Sequence, residues 1–180
     1  MNIPDPSVIR ILLVDDDRDD FILFREHLED RTFHDDEGER NFSIDWVSSF
    51  DEALKAFDRN EYEVYFIDND LGMRSGLELL PEAAARGVEA PLIILTGLED
   101  PRAELTAARA GAADYLVKQY INGLLVQRSI RYALERKRSE LNLKHAYARM
   151  EDLVQERTKE LIQVNRALEE SNMALRSEIE

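Results

Sequence analysis

The chain has 180 residues, 44% of them hydrophobic, and a net charge of −15, which suits one ordinary domain plus an appendage and excludes global disorder. It has no cysteine, so disulfides, thiolate chemistry and Cys-ligated zinc are excluded. No apolar run approaches the roughly 18 residues of a membrane span, and the Asn2–Ser7 start does not read as a signal peptide, so a cytoplasmic protein with no membrane attachment is expected.

The charge is unevenly spread. Residues 134–180 hold nine Lys and Arg against ten Asp and Glu, which leaves −14 on 1–133. So acidic a front region argues against nucleic-acid binding, which needs basic surface. It also requires that carboxylates meeting in one pocket be held apart by a cation.

In chain order, the strand-like run Ile9–Val14 delivers Asp15 and Asp16, and a helix follows over about Asp20–Leu28. Asp17, Asp19 and Asp20 read as loop and first-turn acids, a placement that the helix dipole favours. His34–Arg40 reads as a solvated charged loop before the strand Phe42–Val47. Ser49 caps a helix over Phe50–Asp58, with acids in its first turn. The run Val64–Ile67 delivers Asp68, ahead of a helix over about Gly76–Arg86 that Gly87 ends. Leu92–Leu95 delivers Thr96, and Pro101 opens a helix reaching Ala110 and Gly111. Tyr115–Val117 delivers Lys118, and the last helix starts at Gly123. Short apolar strands alternating with helices predict an α/β fold with a doubly wound, five-stranded parallel sheet. In such a sheet the strand C-termini open onto one crevice.

Beyond Gly123 there is no proline or further glycine, and Val154, Leu161, Leu168 and Leu175 recur every seven residues. A domain at 1–133 is therefore expected to continue into a helical extension at 134–180, paired as a coiled coil. If the leucine row is d, position a holds Thr158, Asn165, Asn172 and Ile179; if it is a, position d holds Met150, Val164 and Ser171. Both registers leave an apolar stripe, for which a homodimer is the natural cover, and an absent domain or partner the alternative.

At the strand ends, Asp15 and Asp16 supply an acidic wall for a divalent metal, and Mg²⁺ prefers such oxygen ligands. Asp68 is a carboxylate that can act as a nucleophile toward phosphorus. Lys118 offers a point charge and Thr96 a hydroxyl to phosphoryl oxygens.

The segments ILLVDDD, YFIDNDLGMRSGLELL, PLIILTG and GAADYLVK resemble, in order and spacing, the motifs of the bacterial response-regulator receiver domain, over about residues 8–133. The resemblance implies a flavodoxin-like fold and a Mg²⁺-dependent phospho-acceptor, served by a histidine kinase or histidine phosphotransfer protein. It implies Asp68 as acceptor, Asp15 and Asp16 as the metal-binding pair, and Asp70 as a ligand through its backbone carbonyl. Thr96 and Lys118 would read the phosphate, with Thr96 and Tyr115 as the switch pair acting on the face of the fourth helix, fifth strand and fifth helix. RSIRYALERKR resembles the fifth helix of receivers joined to coiled-coil linkers, which would carry the signal outward.

Two departures stand out. Gln119 follows Lys118 where the family usually has proline, so a cis peptide is not expected. Asp70 adds a charge at the rim, expected to alter metal affinity or phosphoryl lifetime. Phosphotransfer is then self-directed, with autodephosphorylation, and the chain is not an enzyme on external substrates. Two alternatives remain: a phosphorylation-independent dimerisation scaffold, and a haloacid-dehalogenase-type phosphatase. The second rests on the Asp68-Asn69-Asp70 spacing, but its acidic pair would follow the lysine and a cap domain would be needed. Arg128, Arg131, Arg136, Lys137 and Arg138 read as a solvated helix face, and His145 as an ordinary helix residue.

Overall fold

A computed structural model describes residues 5–29, 31–35, 38–97 and 101–177. The chain divides after Lys137 into two units.

The first unit alternates strands and helices: β1 (Val8–Val14), α1 (Arg18–Leu28), β2 (Phe33–Asp35), β3 (Gly38–Val47), α2 (Phe50–Arg59), β4 (Val64–Asp68), β5 (Asp70–Leu71), β6 (Arg74–Ser75), α3 (Leu79–Ala85), β7 (Leu92–Thr96), α4 (Pro101–Arg109), β8 (Asp114–Val117) and α5 (Gly123–Ser177). The main sheet has the order β2-β3-β1-β4-β7-β8. Five of its strands, β3, β1, β4, β7 and β8, are parallel as expected. Their order is that of a flavodoxin-like sheet, which reverses direction of winding beside β1 and opens a ligand crevice there.

The sixth strand corrects the sequence reading. β2 runs antiparallel to β3, pairing Phe33 with Arg40 and His34 with Glu39, so most of the stretch read as a charged loop is a hairpin. The side chains of His34 and Glu39 face solvent, while Phe33 and Arg40 turn inward and are buried. The Arg40 guanidinium donates to Glu63 at 2.6 Å and to the Val8 carbonyl at 3.0 Å. Gly38, the first residue of β3, has φ of 123°, a backbone conformation that favours glycine.

The sheet separates two apolar layers because its strands alternate. Ile9, Ile11 and Leu13 of β1 pack with Phe24 and Leu28 of α1 and Val126 and Ile130 of α5. Leu12 and Val14 face the other way, onto Phe50, Ala53 and Phe57 of α2 and Leu79, Leu80 and Ala83 of α3. With both faces covered, β4 and β7 are buried along their whole length. The caps read from the sequence are in place: Ser49 accepts from the Glu52 N–H at 3.4 Å, and Gly87 and Gly111 have φ of 72° and 98°. All peptide bonds among the described residues are trans, and Lys118–Tyr120 form one 3-10 turn.

In the first unit, α5 buries Val126, Ile130 and Ala133, and Ser129 donates to Asp114 Oδ2 at 2.5 Å, tying this helix to β8. In the second unit α5 continues to Ser177, and side chains from 142 to 170 are exposed. Arg157–Glu160 and Arg166–Glu170 pair along that helix. The side chains of Ser171, Asn172 and Leu175, and all of residues 2–4 and Ile179, lie outside the described residues.

Candidate functional site: an acidic crevice at the strand ends

Asp15 leaves β1 and is held there from two sides. Its N–H donates to the Val47 carbonyl at 3.1 Å, and its carbonyl accepts from Trp46 Nε1 at 2.7 Å. Asp15 Oδ1 accepts from the Asp17 N–H at 3.0 Å, so the turn into α1 is built on this carboxylate. Asp17 in turn caps α1 by accepting from the Asp19 N–H at 2.8 Å. Asp16 points into the open. One oxygen each from Asp15, Asp16 and Asp68 lies within 4.8 Å of the others.

Asp68 ends β4, buried, with Oδ1 accepting from the Asp70 N–H at 3.3 Å. Behind it the chain is unusually tight. A Cβ on Gly76 would fall 1.9 Å from the Asp68 carbonyl oxygen, so only glycine lets the start of the third helical stretch lie against β4. The Gly76 N–H donates to Asn69 O at 2.9 Å, closing the β5–β6 hairpin beside the crevice. Ser75 and Glu78 complete a capping box there.

Lys118 follows β8 and reaches all the way across. Its Nζ donates to Asp68 Oδ2 at 2.8 Å and to Asp20 Oδ2 at 2.5 Å. It also lies 2.8 Å from Asp15 Oδ2, an ion pair without hydrogen-bond alignment. That buried oxygen otherwise has no hydrogen-bond partner.

The electrostatics follow from crowding in a dry place. Burial pushes the Asp15 carboxyl up to about 6, with the Lys118 ammonium and the Asp17 N–H opposing. Burial likewise raises Asp68, again against Lys118. For Lys118 burial works toward the neutral amine, but Asp15, Asp20 and Asp68 outweigh it and hold the ammonium well above its usual range. The donors are all hard oxygens, one of them buried and lacking a hydrogen bond, and such a set suits a small divalent cation.

Thr96, at the end of β7, is buried and pairs in register with Val117, one residue before Lys118. Tyr115 pairs with Ile94 and is half-buried against the α2–α3 layer. The structure thus brings Asp15, Asp16, Asp68 and Lys118 together and sets Thr96 at the neighbouring strand end. Asp70 enters through its backbone N–H, while its carboxylate is exposed and outside the three-carboxylate cluster.

The residue that sequence reasoning missed is Asp20, set aside as a first-turn helix acid. It is instead a direct partner of Lys118. No local pattern marks it out, because its partner Lys118 is brought to it only by the fold.

Comparison with known proteins agrees with this architecture. Residues 11–130 match the family model described as the response regulator receiver domain. The two-component response regulator PhoP of Pseudomonas aeruginosa is 31% identical over 112 residues, 62% of this chain and 46% of PhoP. The response regulator RppA of Synechocystis is 30% identical over 122 residues, 67% of this chain and 48% of RppA. The chain therefore spans about half the length of these curated relatives. Among solved structures, a Burkholderia pseudomallei response regulator with a phosphorylated aspartic acid, calcium ion and citrate superposes with a TM-score of 0.57 at 26% identity, covering 78% of this chain and 74% of that one. A CheY-like receiver domain from Methanospirillum hungatei gives a TM-score of 0.61 at 24% identity, covering 74% and 99%, and shares the fold. With a family match across two-thirds of its length, on the sheet that carries the acidic crevice, this chain belongs to the response regulator receiver domain family of two-component signalling.

Proposed function

We propose that the chain is a Mg²⁺-dependent phospho-acceptor, and that Asp68 takes a phosphoryl group from a histidine kinase or histidine phosphotransfer protein. The observation that carries this reading is the ammonium of Lys118 in contact with Asp68 and Asp15 at the mouth of a three-carboxylate cluster. Asp15, Asp16 and Asp68, with the Asp70 backbone carbonyl, would hold the metal. When bound, Mg²⁺ neutralises charge on the phosphoryl oxygens.

The chain's own residues do the rest. An Asp68 oxygen attacks phosphorus, an O–P bond forms, and the P–N bond of the donor's phosphohistidine breaks, its electron pair leaving with the imidazole. Lys118 holds the Asp68 carboxylate in place and then meets a phosphoryl oxygen, while the Thr96 hydroxyl donates to another. Movement of Thr96 draws Tyr115 inward and biases the face formed by α4, β8 and α5. The bond between Ser129 and Asp114, adjacent to Tyr115, gives that bias a direct hold on α5. Residues 134–180 would form the output, a homodimeric coiled coil whose pairing the switch alters. The protein would act in the cytoplasm, without nucleic-acid contact of its own.

The experiment is intact-mass measurement after incubation with acetyl phosphate and Mg²⁺. The parent gains one phosphoryl group, and Asp68→Asn or chelation of the metal removes the gain. Equal labelling of parent and Asp68→Asn overturns the assignment.

A further inference from the structure

The crevice holds one carboxylate more than acceptor and metal chemistry require. Asp20, on the first turn of α1, is separate from the cluster formed by Asp15, Asp16 and Asp68, yet it makes the shortest contact with the Lys118 ammonium, 2.5 Å. An ammonium has three N–H donors, and here three carboxylates surround it.

The partners have different fates under the function proposed above, on which this inference rests. Asp15 would turn toward the metal. Asp68 would become an acyl phosphate, its charge transferred to phosphoryl oxygens. Asp20 would do neither, so it is the partner that stays in place throughout. A flexible lysine that lost two of its three partners would otherwise be free to swing into solvent, since its stem has four rotatable carbons. Lys118 is at the end of a strand and in a 3-10 turn, so its backbone alone does not aim its side chain.

We infer that Asp20 is the positioning residue for Lys118: it anchors the ammonium from α1 so that the charge remains over Asp68 as the other two partners are given up. Asp20 touches neither phosphorus nor metal, and everything it does passes through Lys118. Its half-exposed carboxylate also suits it to this role, because a fully buried one would oppose the charge that it must keep.

The test is the rate of phosphoryl uptake from acetyl phosphate at saturating Mg²⁺ in the full chain, with Asp20→Ala, Asp20→Asn, Lys118→Ala and the double variant. Asp20→Ala is expected to slow uptake about tenfold, the scale at which outer partners of reactive groups usually act. Asp20→Asn, whose amide oxygen can accept the same hydrogen bond, should recover most of that loss. In the Lys118→Ala background, Asp20→Ala should have no further effect, since the two substitutions remove one unit. The Lys118 ammonium resonance should be sharp in the nitrogen-15 spectrum of the parent and broaden in Asp20→Ala. Normal labelling of the parent, combined with unchanged uptake in Asp20→Ala or an undiminished effect in the Lys118→Ala background, overturns the role of Asp20 alone. A parent that takes no label overturns the phospho-acceptor reading itself.

Discussion

One helix, α5, belongs to two different environments. In its first three turns Val126 and Ile130 are 0% exposed and Ala133 5%, whereas Leu143, Leu161 and Leu168 farther along are 57%, 68% and 57% exposed. The residue types hardly differ, and neither does the backbone. What differs is what lies opposite: the sheet covers the first set, and nothing among the described residues covers the second. Apolar periodicity thus serves the fold in one half and leaves an exposed apolar stripe in the other.

The covered, sheet-bearing unit should be broken most easily at the end of β4. Gly76→Ala should destabilise the sheet unit by about 4 kcal/mol, because its Cβ would overlap the Asp68 carbonyl oxygen and the backbone must shift. Chemical denaturation reads this directly, and a loss under about 1 kcal/mol would mean that the close approach relaxes easily.

Ile130→Ala comes next. Removing a fully buried side chain should lower unfolding stability by about 3 kcal/mol, with the same result at any protein concentration.

Asp15→Asn should act in the opposite direction. Its carboxyl is raised to about 6 when folded, so above that pH the buried charge opposes folding, and the penalty fades as pH falls through 6 toward the unfolded value near 4. In chelator, at pH 7.5, the asparagine variant should be more stable by about 2 kcal/mol, and the gain should shrink at pH 5. A gain independent of pH would point to packing instead.

Leu161→Ala should have the smallest effect on unfolding of the sheet unit, within about 0.5 kcal/mol, while sedimentation shows weaker self-association. If it cost as much as Ile130→Ala, the two halves of α5 would not differ as described.

The parallel core was legible because strands buried on both faces are continuous apolar runs, and Asp15, Asp68, Thr96 and Lys118 each stand where such a run stops. The β2–β3 hairpin was not. Its charge suggested a loop, although Arg40, Phe42, Ile44 and Trp46 occur at every second position, as a strand with one solvated face requires. Asp20 stayed hidden for another reason. An acid in a first turn is ordinary, and only the reach of Lys118 from a strand end 98 residues away gives it a second meaning. Gly76 was seen as a helix start, but the contact that demands glycine is between segments that sequence alone does not juxtapose.

The hydrogen bond from Trp46 to the Asp15 carbonyl has a practical consequence. Trp46 is the chain's single tryptophan, stacked on Phe21 of α1 at 5.4 Å. An indole in that position senses any displacement of the strand end that carries the carboxylate. Its emission is therefore an intrinsic optical gauge of what enters the crevice, free of labels and of background from other indoles.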